Sequence, residues 1–159
     1  MTFRPIQSGD EEILLQIFAS TREEERLQLG WPHEEWEAFI RQQFSFQHAQ
    51  YMMTYANPSF DLVLLDGEVT GRLYVDRTTE EIRVVDVALL PKHRHQGLGR
   101  LMLQALIDES DACGTPLGLH VEKDNPILNY YQRLGFVPVA DRGVYLYMQR
   151  PCAARSEAA

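Results

Sequence analysis

The chain has 159 residues, a length typical of one domain, and 45% of them are apolar, which is enough for a core. Its formal net charge of −8 argues against nucleic acid as a partner, because nucleic-acid binding needs a basic surface that neutralises phosphates. An acidic chain suits a cationic partner such as an amine through weak electrostatic steering, although the same charge can serve solubility alone.

Membrane, export and metal signals are missing from the sequence. No apolar run approaches the ~20 residues that cross a bilayer, and the first residues, MTFRPIQSGDEE, lack the apolar segment of a secretory signal. Cys113 and Cys152 do not have the spacing of a metal site, and we expect thiols in a reducing compartment. These features predict a cytoplasmic protein with no membrane association and no metal.

The first third of the chain reads as one strand and three helices. A strand is predicted over residues 2–6, and the sequence SGDE at residues 8–11 fits a capping box before a helix. A second helix, with Thr21 as its candidate cap, ends at Gly30. Pro32 opens a third helix that ends before Asn57-Pro58. The aromatic side chains of this helix are predicted to pack on a sheet, and Tyr51 or Phe46 is a candidate for an acceptor pocket.

Three antiparallel strands are predicted next. Asp66-Gly67 lies between apolar runs at residues 62–65 and 68–75, which is the pattern of a tight hairpin. A third strand covers residues 81–90, and Pro91 ends it because proline cannot donate to a sheet ladder. A helix follows over residues 97–111 and ends at Gly114. Its predicted inner face consists of Leu98, Leu101, Met102, Ala105 and Leu106.

The last third alternates strand and helix. Strands are predicted over residues 117–121, 136–139 and 144–149, and a helix runs from Asn125-Pro126 to Gly135. The element order is therefore β-α-α-α-β-β-β-α-β-α-β-β, which predicts an α+β domain over residues 1–149. Residues 150–159 contain no apparent core positions, so we expect a disordered tail.

The stretch at residues 84–103 carries the strongest functional signal. It joins an apolar strand, Pro91, the sequence RHQGLG at residues 94–99, and an amphipathic helix. A glycine-bearing turn at a helix N-terminus gathers backbone N–H groups where the helix dipole favours negative charge, and glycine lets a phosphate approach closely. The dinucleotide fingerprint G-x-G-x-x-G and the G-x-x-x-x-G-K-[ST] loop are both absent. The stretch predicts a different phosphate or pyrophosphate site.

Two motifs resemble those of one family. The spacing R-x-x-G-x-G, made by Arg94, Gly97 and Gly99, resembles the acetyl-CoA motif of the GCN5-related N-acetyltransferases, the GNAT superfamily. The pattern N-P-x-x-x-x-Y-x-x-x-G-F, from Asn125 to Phe136, resembles a second family motif at the appropriate distance. The resemblance implies the GNAT fold: a mixed, mostly antiparallel sheet of six to seven strands, helices on both faces, and strands splayed at the cofactor site.

The resemblance also implies how acetyl-CoA, the expected co-substrate, would bind. The pyrophosphate is expected on the backbone of the motif, formed by Arg94, His95, Gln96, Gly97, Leu98, Gly99 and Arg100, and the Lys92, Arg94 and Arg100 side chains are candidate cations for the phosphates. Leu89, at the end of the preceding strand, is expected to pair with the pantetheine arm and to polarise the thioester carbonyl through its N–H. Asn125 would contact the cofactor near the arm or cap the helix that follows it.

A catalytic acid is implied by the second motif. Tyr131 occupies the position of the family's tyrosine that protonates the leaving thiolate, and its free pKa of ~10 keeps the phenol protonated at neutral pH. An alternative is that Tyr131 only packs beside the cofactor. Tyr130, its neighbour, falls outside the motif spacing.

The sequence leaves more than one candidate for the general base. His120 occupies a position where some family members carry a glutamate, and an imidazole with a free pKa of ~6.5 is largely neutral at pH 7.5 and can accept a proton. The alternatives are Asp86, Glu122 or a water chain, while Glu81 is a further carboxylate on the strand that holds Asp86. His120 can equally be a strand histidine that is hydrogen-bonded inside the sheet.

The predicted function is acetyl transfer from acetyl-CoA to a primary amine, by an acyl-CoA-dependent N-acyltransferase. A small-molecule amine is favoured because the chain shows no added recognition domain; the alternatives are a protein N-terminus or lysine as acceptor, or a non-catalytic CoA-binding module. The presence of Tyr131 and His120 argues against the last. The acyl chain length and the acceptor stay open. Dimers are common in the family, so a homodimer is an alternative to a monomer.

Overall fold

The computed structural model describes residues 1–152. Within that range the chain forms β1 (Thr2–Pro5), α1 (Glu11–Ser20), α2 (Glu23–Leu29), α3 (His33–Thr54), β2 (Pro58–Leu65), β3 (Glu68–Arg77), β4 (Ile82–Leu89), α4 (Leu98–Cys113), β5 (Leu117–Glu122), α5 (Ile127–Arg133), β6 (Val137–Arg142) and β7 (Tyr145–Arg150). Short 3-10 turns, Ser8–Asp10 and Pro91–His93, precede α1 and α4. The order of strands and α-helices is the predicted one, so the α+β class is confirmed.

One seven-stranded sheet holds these elements, in the order β1-β2-β3-β4-β5-β7-β6. All neighbouring strands are antiparallel except β4 and β5, which are parallel and pair only at Ile82↔Leu117 and Arg83↔Gly118. Beyond those two pairs β4 continues to Leu89 and β5 to Glu122, but the two strands no longer pair with each other. We call this opening the β4–β5 split. The predicted mixed, mostly antiparallel sheet with splayed strands is confirmed.

Two hydrophobic cores lie on opposite faces of the sheet. The α4 face, which includes Val75, Leu117 and Leu119, packs against α4 and α5. The α3 face, which includes Leu62, Tyr74 and Ala88, packs against α1 and α3. Side chains alternate between the two faces along a regular strand, and a register shift between β3 and β4, after Val84, resets the alternation in β4. Neighbouring residues of β5, and of β4 from Asp86 onward, therefore reach opposite sides of the split. Helices on both faces were predicted, and that prediction is confirmed.

The inner face of α4 differs from the predicted one. Met102 and Leu106 are buried as expected, but Leu101 is 57% exposed and Ala105 is also exposed. The apolar stripe of a surface helix is limited in width, and here it is rotated towards Ile107 and Ser110, which are buried. The prediction for Leu101 and Ala105 was therefore wrong.

Local caps also differ from the expected ones. The N–H of Gln7 donates to the Asp10 carboxylate at 2.7 Å, so the first cap is centred on Gln7 rather than on Ser8. The Thr21 hydroxyl donates back to the Phe18 carbonyl at 2.7 Å, and Arg22 rather than Thr21 is the N-cap of α2. In both cases a short polar side chain, that of Asp10 or of Thr21, forms a hydrogen bond with the backbone of a residue three positions earlier in the chain.

The C-terminal boundary lies further along the chain than predicted. Strand β7 extends to Arg150, and Cys152 is fully buried although it belongs to the segment predicted to lack core residues. The rest of the predicted tail, residues 153–159, lies outside the described residues. Among the helices of residues 1–152, none has the length and apolar composition to cross a bilayer.

Candidate active site

A cavity of about 690 Å³ opens on the α4 face, between the end of β4, the start of α4 and α5. This is the size of a typical small-molecule or cofactor site. Of the residues predicted to bind the cofactor or to act in catalysis, eight line the cavity: Leu89, Arg94, His95, Gly97, Leu98, Gly99, Arg100 and Tyr131. Gln96, Asn125 and His120 do not line it.

The loop before α4 exposes a row of backbone donors. His95 and Gly97 both have positive φ angles, 61° and 84°, and the first backbone bond of α4 is donated by Leu101 to the Gly97 carbonyl. The N–H groups from His95 to Arg100 consequently find no acceptor within residues 1–152. Free donors at a helix N-terminus favour an anion, so this backbone fits a pyrophosphate.

Arg94 makes hydrogen bonds within the fold. Its own N–H donates to the Pro91 carbonyl at 3.2 Å, so the free donors begin at His95. Its guanidinium donates to the Leu89 carbonyl at 2.8 Å and to the Ser20 hydroxyl at 3.2 Å. The motif arginine therefore ties the end of β4 to the end of α1, and its side chain also lines the cavity.

The other two candidate cations, Lys92 and Arg100, also contact side chains of the protein. Lys92 forms an ion pair with Glu68 on the protein surface and does not line the cavity. The guanidinium of Arg100 lies over the Tyr130 ring, 5.1 Å from its centroid, and both residues line the cavity. Of the three, Arg100 is the side chain that stays on the cavity wall near the donors.

The end of β4 turns backbone donors towards the split. The N–H of Leu90 donates to the Thr70 carbonyl of β3 at 2.8 Å. Because successive N–H groups of a strand alternate in direction, the N–H groups of Leu89 and Val87 point away from β3, into the split. Val87 also lines the cavity, and sequence analysis missed it. The period-two alternation from Leu89 was the signal that could have found it.

Tyr131 projects from α5 into the cavity wall. Its ring packs against Phe136, with 5.6 Å between the ring centroids. Burial, with a smaller contribution from Tyr130, raises the pKa of the Tyr131 phenol above its ordinary value. The hydroxyl is therefore protonated at neutral pH and can donate.

Asn125 serves as a cap in this structure. Its side-chain carbonyl accepts a hydrogen bond from the Ile127 N–H at 3.0 Å, which satisfies a free donor of the first turn of α5. The Asn125 amide nitrogen has no partner in the described part of the chain, so it is still a candidate donor to the co-substrate.

His120 lies on the other side of the sheet. It follows Leu119, which lines the cavity, so its side chain reaches the α3 face, where its ring is 5.0 Å from that of Tyr147, centroid to centroid. It stands two residues beyond the last β4–β5 pair, at the start of the split. Burial and the charges of Arg83 and Arg142 lower the pKa of His120, against an opposing effect of Glu81. His120 is thus neutral at physiological pH and able to accept a proton.

Asp86 also reaches the α3 face, but it is bound to a buried cation. Its carboxylate accepts from Arg72 at 2.5 Å and from the Tyr51 hydroxyl at 3.2 Å. The Arg72 side chain is only 2% exposed and also donates to Gln47.

Of the two aromatic residues considered for an acceptor pocket, Tyr51 lies in the cluster with Asp86 and Arg72, whereas Phe46 is 62% exposed.

We expect Asp86→Asn to lower the free energy of unfolding by about 3 kcal/mol, because removing one partner leaves the buried Arg72 charge uncompensated. Urea unfolding followed by circular dichroism measures this. The double variant Arg72→Met/Asp86→Asn should be less destabilised than Asp86→Asn alone, since it removes both charges. A change within about 0.5 kcal/mol for Asp86→Asn would mean that the pair contributes nothing to the fold.

Comparisons with known proteins fit these observations. A free backbone cradle beside two splayed strands is an arrangement that suits an extended, phosphate-bearing co-substrate. The chain belongs to the acetyltransferase (GNAT) family, whose sequence model matches residues 15–136. It is therefore an acyl-CoA-dependent N-acyltransferase, and the family uses acetyl-CoA. The resemblance found in the sequence is confirmed.

Solved structures share the fold. The PaiA N-acetyltransferase from Thermoplasma acidophilum, solved in complex with coenzyme A, aligns with a TM-score of 0.67 at 16% identity over 94% of this chain and 98% of its own. The ribosomal-protein-S18-alanine N-acetyltransferase from Escherichia coli aligns at 0.63 with 18% identity over 94% and 92%. An acetyltransferase from Thermus thermophilus aligns at 0.64 with 22% identity over 95% and 97%. The curated protein sequences contained no significant match.

Proposed function

We propose that this protein transfers the acetyl group of acetyl-CoA to the primary amine of a small molecule. The observation that carries the proposal is the arrangement around the β4–β5 split. A cavity with free backbone donors and the Tyr131 phenol lies on one face, and a neutral imidazole, His120, lies on the other. Two substrates can therefore meet at the split from opposite sides.

The cofactor site uses mainly the backbone. The N–H groups from His95 to Arg100 hold the pyrophosphate, and the N–H groups of Leu89 and Val87 meet the pantetheine arm. Leu89 polarises the thioester carbonyl, which stabilises the negative charge that develops on its oxygen. The Asn125 amide contacts the co-substrate near the arm. Most of these donors belong to residues that line the cavity, whereas Gln96 and Asn125 lie outside its lining.

The reaction needs two proton transfers. The neutral amine nitrogen attacks the thioester carbonyl carbon, and the carbon–sulfur bond breaks as the amide bond forms. His120 accepts the proton that the amine nitrogen loses, and Tyr131 donates a proton to the departing thiolate. His120 is favoured over Asp86 as the base because Asp86 is bound to Arg72. If His120 is not the base, Glu122 or a water chain takes that role.

A panel of acceptors tests the proposal through the release of thiol from acetyl-CoA. The panel contains small primary amines, peptides with a free N-terminus, and peptides with internal lysine and a blocked N-terminus. We expect amine-dependent release with a small amine and acetylation of that amine by mass spectrometry. Faster turnover of either peptide class would overturn the small-molecule acceptor. A higher kcat/KM with a longer acyl-CoA would overturn acetyl-CoA as the preferred donor.

A further inference from the structure

Three cationic or titratable side chains surround one ring on the α3 face. The guanidinium carbon of Arg83 lies 4.9 Å from the centroid of the Tyr147 ring, and that of Arg142 lies 5.1 Å from it. The His120 ring is 5.0 Å from the same centroid. Gly118 leaves room for this arrangement, because a Cβ at that position would be 2.6 Å from the Tyr147 hydroxyl. We call these residues the Tyr147 cluster.

The two arginines of the cluster differ in their partners. Arg83 donates to the Glu81 carboxylate at 2.7 Å, and the second oxygen of Glu81 accepts from Gln149 at 2.9 Å. The exposed guanidinium of Arg142 forms no hydrogen bond or ion pair with any residue in the range 1–152. Carboxylates are abundant in a chain of net charge −8. Arg142 nevertheless has no carboxylate partner among the described residues, although it lies beside the candidate base.

We propose that the acceptor is an amine that also carries a carboxylate, such as an amino acid, with the carboxylate bound by Arg142 and the amine directed to His120. The inference rests on the proposed function and names the chemical class of its acceptor. A guanidinium is planar and presents paired donors that match the two oxygens of a carboxylate. Stacking on Tyr147 holds the Arg142 fork near His120, so one short molecule can reach both.

The local charge supports this assignment. The net charge of the chain suggested steering of a cationic partner, but two of the three charged groups that act on His120 are guanidiniums, Arg83 and Arg142, and one is the carboxylate of Glu81. A positive charge near the reacting nitrogen disfavours its ammonium form, which helps to keep the amine neutral. A carboxylate on the same molecule gives it a favourable contact with Arg142, since Arg83 is already paired with Glu81.

The test compares matched acceptors with the wild-type protein and its variants. Each amino acid in the panel is paired with its carboxamide, and kcat/KM for both is measured by thiol release from acetyl-CoA. We expect the wild type to prefer the carboxylate, and Arg142→Gln to reduce this preference about tenfold, as the loss of a hydrogen-bonded charge pair predicts. The preference is the ratio of kcat/KM for the amino acid to kcat/KM for its carboxamide. Because the two amines have the same basicities with every variant, comparing this ratio between the wild type and Arg142→Gln removes the effect of basicity.

Controls separate a binding role from a structural one. Arg142→Lys should retain part of the preference, whereas Arg41→Gln, which removes an exposed arginine of α3, should leave it unchanged. Arg142→Gln should keep the unfolding temperature of the wild type. An equal preference in the wild type and Arg142→Gln would overturn the inference while leaving acetyl transfer intact. Absence of thiol release with every amine would overturn the proposed function, and the inference with it.

Discussion

Tyr131→Phe is expected to lower kcat by ~10²–10⁴, because it removes the proton donor for the leaving thiolate. The affinity for CoA should stay within a few-fold of the wild type, since the ring and its contact with Phe136 are retained. Steady-state kinetics and calorimetric titration of CoA measure the two quantities separately.

Tyr130→Phe is the matched control for Tyr131→Phe. Tyr130 also lines the cavity and lies under Arg100, but its hydroxyl is outside the motif position, so kcat should change little. Equal losses in the two variants, or an unchanged kcat in Tyr131→Phe, would show that Tyr131 packs beside the co-substrate without donating a proton.

His120→Ala is expected to lower kcat over the same range, ~10²–10⁴, by removing the proton acceptor. The acidic limb of the pH–rate profile should disappear with it. Because its pKa is lowered, His120 is neutral at a lower pH than a free histidine, so the wild-type limb should lie below pH ~6.5. An acidic limb that persists with full turnover in His120→Ala would transfer the role to Glu122 or to water.

Gly99→Glu is expected to abolish CoA binding. Apart from the chain neighbours of Gly99 and the backbone of its own helix, no described atom lies within 4 Å of a Cβ built there, so the variant should fold. Its carboxylate would occupy the phosphate path and repel the pyrophosphate. Gly97→Glu should have the same effect with an added backbone strain, because Gly97 has a φ of 84°. Calorimetric titration of CoA measures the loss.

Leu101→Glu is the control for these glycine variants. It adds the same charge to α4 two residues beyond Gly99, at a side chain that is 57% exposed and does not line the cavity. Its CoA affinity should remain close to that of the wild type. If Gly99→Glu and Gly97→Glu bind CoA as the wild type does, the loop is not the pyrophosphate site.

Local patterns in the sequence were sufficient to predict the element order. Strand–turn–helix patterning identified β4, the loop and α4, and glycine positions marked most of the helix ends. Two caps were misplaced by one residue, and the larger errors fell where tertiary packing decides the outcome. The burial of α4 is rotated towards Ile107, and Cys152 is buried although its neighbours in the sequence are small or polar.

The candidate site was predicted only in part, because several of its contacts join distant parts of the chain. No local pattern indicates that Arg94 bonds Ser20, 74 residues earlier, or that Asp86 belongs to a buried pair with Arg72. The position of His120 on the face opposite Tyr131 follows from strand alternation, but the cluster around Tyr147 depends on the pairing of β5, β6 and β7. Such long-range pairing is not encoded in any short motif.

The central claim is that both substrates are bound at once, on opposite faces of the β4–β5 split, and that the acetyl group passes directly between them. Initial velocities measured while both acetyl-CoA and the amine are varied test this claim most directly. Direct transfer in a ternary complex predicts double-reciprocal lines that intersect. Parallel lines, the pattern of a covalent acetyl-enzyme that forms before the amine binds, would contradict it.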